Sequence, residues 1–189
     1  MSALQRRRSV AVIGDATVPA GSPKYELARE VGRLLREAGF QLLTGGLDGV
    51  MAAASQGARE SAAWSPGTVV ALLPGFDPLR ANPYADVVIP TGLDHLRNSV
   101  VAQADAVVAI GGGAGTLTEL GFAWLYRRLI VALRVEGWSG ALADRRVDHR
   151  TRYPDIPEDR VFGANTPTEA VSLVRTWIER YDRRHSRIP

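Results

Sequence analysis

Cysteine is absent from this 189-residue chain, and lysine occurs only at Lys24. Without cysteine there is no disulfide framework, no thiolate zinc site and no cysteine nucleophile. The three histidines, His95, His149 and His185, are scattered, so a histidine cage for a metal is not expected. A Walker-type phosphate loop needs a lysine directly after its glycines, and a pyridoxal-phosphate enzyme needs one for its Schiff base. Lys24 follows Gly21-Ser22-Pro23 at a predicted helix start, where it reads as solvent-facing and fits neither role. No apolar run approaches the roughly 18 residues that span a bilayer. The opening MSALQRRRS also lacks the apolar stretch of a secretory signal. The expectation is a cytoplasmic soluble protein with no membrane partner and no metal site.

Basic and acidic residues nearly balance, 23 against 20, for a formal net charge of +3. Residues 1–8 hold three arginines, and residues 179–189 hold four against Glu179 and Asp182. The ends thus supply +3 and +2, which leaves −2 for residues 9–178 out of the total of +3. Residues 1–8 and 182–189 read as flexible basic tails on a single domain spanning 1–189. The acidic balance of the body argues against nucleic acid as a partner.

Hydrophobic residues make up 46% of the chain and charged residues 23%, the balance of a globular domain. Aliphatic runs of strand length alternate with helical patterns. Ser9–Gly14, Phe40–Thr44, Thr68–Leu73, Val87–Ile89, Ala106–Ile110 and Leu129–Val135 read as strands. Pro23–Ala38, Val50–Glu60, Leu96–Ala104 and a segment from Thr116 to about Tyr126 read as helices. Thr166-Pro167-Thr168-Glu169 is a capping box that opens a last helix. Residues 136–157 turn polar and read as a loop or lid. Uninterrupted aliphatic strands separated by helices predict an α/β fold with a mostly parallel sheet covered on both faces.

In such sheets ligands gather at the carboxyl ends of the strands, near the point where strand order reverses. Three of those loops hold Gly14-Asp15, Thr44-Gly45-Gly46 with Asp48, and Gly111-Gly112-Gly113-Ala114-Gly115-Thr116. The third sits between the most aliphatic strand and a helix. Glycine reaches positive φ and lets backbone N–H groups converge on an oxygen cluster. A helix start adds unpaired N–H groups and the positive end of its dipole. Four glycines in five residues lose more backbone entropy on folding than a plain turn requires, so the expected guest is a phosphate or similar anion. The dinucleotide pattern G-x-G-x-x-G fails at Thr116, which disfavours an NAD enzyme.

Neighbouring polar residues have two readings each. Thr116-Leu117-Thr118-Glu119 has capping-box spacing, in which Glu119 folds back on the helix start; alternatively its carboxylate stands at the pocket mouth as a ribose contact or acid–base group. Spacing favours the cap. Arg97, beside Asn98, could pair bidentately with a phosphate, although one arginine of 22 is more simply read as solvent-facing. Asp15, Thr44 and Asp48 are ligand contacts or turn caps.

Ala106–Glu119, AVVAIGGGAGTLTE, resembles the P-G-G-x-G-T-x-x-E signature of the Lonely Guy proteins, long mislabelled lysine decarboxylases. It resembles the related molybdenum-cofactor carrier proteins more closely, since that branch has glycine where the signature has proline, as at Gly111. VAVIGD, LLTGGLDGVMAAASQGA and Arg97-Asn98 look like the same branch, so the likeness covers roughly residues 9–135. The resemblance implies a Rossmann-like three-layer sandwich with a doubly wound sheet, usually a homodimer, with a nucleotide-type ligand at the glycine loop. In the Lonely Guy enzymes an arginine and the signature glutamate cleave the N-glycosidic bond of nucleoside 5′-monophosphates. Carried over, these are Arg97 and Glu119. The carriers bind a molybdopterin phosphate and catalyse nothing.

The enzymes have a lysine where this chain has Asn98, and proline where it has Gly111. The leading expectation is therefore a homodimeric binding protein of the carrier type. It would hold a small phosphorylated ligand, such as the molybdenum cofactor, through Gly14, Asp15, Thr44, Gly45, Gly46, Asn98, Gly111, Gly112, Gly113, Gly115 and Thr116. The alternative is a nucleoside 5′-monophosphate phosphoribohydrolase with Arg97 and Glu119 as catalytic residues.

Overall fold

Aliphatic strands without polar alternation can be satisfied only where helices cover both faces of the sheet. The computed structural model describes residues 6–183. Its strands are β1 (Ser9–Gly14), β2 (Gln41–Thr44), β3 (Val69–Leu73), β4 (Val87–Pro90), β5 (Ala106–Ile110), β6 (Leu129–Leu133) and β7 (Phe162–Ala164). They form one all-parallel sheet in the order β4-β3-β2-β1-β5-β6-β7. Every position of β3, β5 and β6 is buried, whereas the edge strand β4 is largely exposed.

Helices α1 (Pro23–Glu37), α2 (Val50–Glu60) and α6 (Pro167–Trp177) cover one face. There Tyr25, Val31, Leu35, Ala53 and Val174 pack on Val12 and Val108. Helices α3 (Arg97–Val101), α4 (Ala114–Leu125) and α5 (Trp138–Leu142) cover the other. On that side Val101, Leu120 and Trp124 meet Ile13, Val107 and Ala109. This is the Rossmann-like, doubly wound sandwich expected from the sequence. Helix α6 begins at the expected threonine cap: Thr166 Oγ1 accepts the Glu169 N–H at 3.1 Å, while the Glu169 carboxylate reaches one residue past the N-cap to accept the Asn165 N–H at 2.7 Å.

The order reverses between β1 and β5, which run level from Val10 beside Ala106 to Gly14 beside Ile110. Their following residues, Asp15 and Gly111, therefore leave the sheet side by side. The ligand crevice of a doubly wound sheet opens at this point.

Residues 136–157, expected as a loop or lid, are mostly loop but not a polar surface flap. They contain α5, and beyond it Tyr153 and Ile156 are each only 1% exposed and belong to the core under α1 and α6. A polar stretch can plug a core when its few apolar residues point inward and its charges pair, as Arg152 does with Asp159. β7 follows and has no signature in the sequence beyond three small or aromatic residues, Phe162-Gly163-Ala164. The basic amino-terminal segment is tied down at two arginines, Arg6 donating to Asp105 at 2.7 and 2.9 Å and Arg8 to Glu179 at 2.7 Å. Residues 1–5 and 184–189 of the two basic ends lie outside the described residues.

Candidate functional site

Helix α4 starts at Ala114, two residues before the expected Thr116, with Gly113 as its N-cap and no side chain capping it. A helix leaves its first N–H groups without intrahelical partners, and here no hydroxyl or carboxylate among the described residues caps them. Gly113, Ala114 and Gly115 are exposed. Added Cβ atoms on Gly113 would meet nothing within 4 Å, and on Gly115 only Asn98 Nδ2 at 3.9 Å. Gly111 and Gly112 have φ of +66° and +96°, which lets the chain turn sharply from β5 into the helix.

Two cavities flank this loop and share Asp15, Thr17 and Gly113. One, about 340 Å³, is bounded by Asp15, Arg97, Asn98, Gly115, Thr116 and Glu119, with Gly14, Gly113, Met51 and His95 at its margins. The other, about 600 Å³, lies between Gly112, Gly113, Lys24, Ser22 and Glu136. Eight of the sequence-predicted residues (Gly14, Asp15, Arg97, Asn98, Gly113, Gly115, Thr116, Glu119) thus share one cavity, and Gly112 lines the second.

The remaining predicted residues line neither cavity. Gly111 is buried beneath the loop, where a Cβ would collide with Asp15 Oδ2. Thr44 is fully buried and its hydroxyl accepts the Gly46 N–H at 3.2 Å, a turn cap. The Gly46 carbonyl is taken by Asn82, whose backbone N–H and side-chain amide both donate to it. Gly45 is needed for space: a Cβ there would strike the Arg97 guanidinium and sit 2.7 Å from Met51 Sδ. Asp48 lines neither cavity.

Arg97 is not solvent-facing. It is 6% exposed, and it faces the carboxylate of Glu119, with Nη1 3.6 Å from Oε1, beyond hydrogen-bond distance. Its Nε has no hydrogen-bond partner among the described residues. A buried guanidinium with idle donors is unusual and asks for an acceptor; this one borders the cavity beside the helix start.

Glu119 does not cap α4 either. Because the helix begins at Ala114, Thr116 lies inside its first turn, and Glu119 is carried round to face Arg97 instead. Burial pushes the Glu119 carboxyl up to about 7, against the opposing pull of Arg97, and burial likewise lowers the Arg97 guanidinium. Asn98 is buried and donates to Thr118 Oγ1 at 2.8 Å, bracing α3 against α4.

Sequence reasoning missed two further residues. Lys24, read as solvent-facing, donates to Asp15 Oδ2 at 2.6 Å and to the Glu136 carbonyl at 3.1 Å, next to Gly111. Its uniqueness was a signal; its partners come from other loops. Ser139 is fully buried behind the glycine loop and had no signal at all.

Among the described residues no group of three or more histidine, aspartate or glutamate side chains could hold a metal, and no helix is long and apolar enough to cross a membrane. The chain is 38% identical over 111 residues to an uncharacterized protein of Archaeoglobus fulgidus, 58% of this chain and 70% of that one. It is 34% identical over 122 residues to the cytokinin riboside 5′-monophosphate phosphoribohydrolase of Mycobacterium tuberculosis, spanning 60% of this chain and 64% of the enzyme. The molybdenum cofactor binding protein of the phototrophic bacterium Rippkaea orientalis superposes with a TM-score of 0.73 at 27% identity, over 92% of this chain and 98% of that one. Both branches of the resemblance drawn from the glycine signature are therefore among its relatives. Residues 7–171 match the SLOG cluster4 family, and the chain belongs to that family.

Proposed function

We propose that the protein binds a small phosphorylated, nucleotide-like molecule, in the manner of a cofactor carrier. The phosphate would rest on the amides from Gly112 to Thr116. The observation that carries this reading is the uncapped start of α4 sharing a cavity with the idle guanidinium of Arg97. Helix amides and an arginine fork are complementary to phosphate oxygens in geometry and charge. The likeness to the Rippkaea orientalis protein supports the molybdenum cofactor as a ligand of this class. The glycine cup would take the phosphate end of molybdopterin, and the chain's own contacts would go to that phosphate and the organic part. A homodimer belongs to the same reading: Leu96 and Leu125, on the α3 and α4 side, are 70% and 47% exposed and suit cover by a second copy.

A second reading has its own observation. Glu119 sits inside the cavity with a carboxyl near 7, a value suited to proton transfer or to supporting a cationic ribose transition state. The Mycobacterium tuberculosis relative supports cleavage of a nucleoside monophosphate under this reading. Water would add at the ribose C1′, and its proton would leave with the base.

Isothermal titration with inorganic phosphate, AMP and molybdopterin tests the first reading. Saturable binding of a phosphorylated ligand, weakened in Arg97→Met, is expected; a folded protein that binds none of the three refutes it. Release of free base from AMP, abolished in Glu119→Gln, would establish the second reading, and a panel of intact monophosphates would dismiss it.

A further inference from the structure

The glycine loop is clamped from behind by a segment that takes no part in the proposed ligand contacts. The Ser139 hydroxyl donates to the carbonyl of Leu133, the last residue of β6, at 2.7 Å, and accepts the N–H of Gly111, also at 2.7 Å. The Ser139 N–H donates to the Gly111 carbonyl and the Trp138 N–H to the Gly112 carbonyl, both at 3.0 Å. Gly137 is pressed so closely on the loop that a Cβ would lie 2.6 Å from the Gly111 carbonyl carbon.

A planar trans peptide points its C=O and its N–H in opposite directions. Fastening the carbonyls of Gly111 and Gly112 to the start of α5 therefore turns the N–H groups of Gly112 and Gly113 away from α5. Both residues border the cavity between Lys24 and Glu136, and Gly113 also borders the cavity of Arg97. The direction of these amides is thus set by α5, on a different strand–helix connection from the loop itself.

We propose that Ser139 is a positioning residue for the anion site. It ties the end of β6 to Gly111 so that the amides stand ready before the ligand arrives, and the proposal rests on the phosphate reading above. Without its hydroxyl, the buried Gly111 N–H loses its acceptor and the turn gains other orientations, so ordering it would be charged against binding.

The test is titration of the full-length protein, as wild type, Ser139→Ala and Ser139→Thr, with inorganic phosphate and with AMP, beside ligand-free melting curves. Ser139→Ala should bind both probes about tenfold more weakly, and Ser139→Thr, which keeps the hydroxyl, should recover most of the loss. Should Ser139→Ala fail to fold, Trp138→Pro decides. Proline is tolerated at the first position of a helix and removes only the N–H that holds the Gly112 carbonyl, with Trp138→Ala as control for the ring. About tenfold weaker binding in Trp138→Pro than in Trp138→Ala is expected. Equal affinities across the folded variants overturn the positioning role and leave the phosphate reading standing. A wild-type protein that binds neither probe overturns both.

Discussion

Arg97 and Arg152 are buried to nearly the same degree, 6% and 5% exposed, and are used in opposite ways. Arg152 donates to both carboxylate oxygens of Asp159 and to the carbonyls of Trp124 and Arg128, with its guanidinium 3.6 Å from the centre of the Trp124 ring. Asp159 in turn accepts from the Tyr181 hydroxyl at 2.8 Å. Arg97 has a carboxylate at 3.6 Å and, among the described residues, an unpartnered Nε. Both sites bury a charge, and only one satisfies it. Burial alone therefore does not single out a candidate site arginine; an unpartnered donor on an arginine that lines a cavity does.

This contrast can be broken experimentally. Arg152→Met should cause the largest change, about 3–5 kcal/mol of lost stability in urea unfolding, because it strands the buried Asp159. An unchanged midpoint would remove Arg152 from the structural side of the comparison.

Glu119 gives the next largest effect. Its folded value of about 7 lies above its ordinary 4.5, so the native state holds the proton more tightly than the unfolded chain. The resulting stabilisation is complete below about pH 4.5 and lost as pH rises through about 7, on the order of 3 kcal/mol in all. Stability measured against pH should fall across this window in the wild type and stay flatter in Glu119→Gln. Anion affinity should follow the same direction, strengthening as Glu119 takes up its proton and ceases to compete for Arg97. Parallel curves for the two proteins would show that the carboxyl titrates alike in the folded and unfolded chain.

Arg97→Met should change stability least. Below about pH 7 Glu119 carries its proton and needs no cationic partner, so the melting temperature should hold while AMP affinity drops about tenfold, or about 1.4 kcal/mol. A melting temperature that falls as far as that of Arg152→Met would erase the distinction between the two arginines.

The same contrast divides what was legible in the sequence from what was not. Thr166–Glu169 and Thr116–Glu119 share one spacing, and only in the former does the threonine cap its helix. Proline at position 167 fixes where α6 begins, so the cap is local. Nothing local fixes the start of α4, because the glycines before Thr116 allow the helix to begin at Ala114, and Glu119 then turns toward Arg97. Likewise Thr44-Gly45-Gly46 and Gly111–Gly115 are both glycine-rich strand ends. The Thr44 turn is filled by the protein's own groups, with Gly45 leaving room for Arg97, whereas Gly113 and Gly115 in the loop after β5 border open space.

Strand–helix alternation, the uninterrupted aliphatic strands and the glycine signature were determined by the sequence alone, since each depends on periodicity or on backbone freedom within a few residues. The surroundings of Arg97, Glu119, Lys24 and Ser139 were decided only by the tertiary structure. Each depends on the burial and on the partners supplied by another loop or helix, and neither quantity exists until the sheet brings the ends of β1, β5 and β6 together.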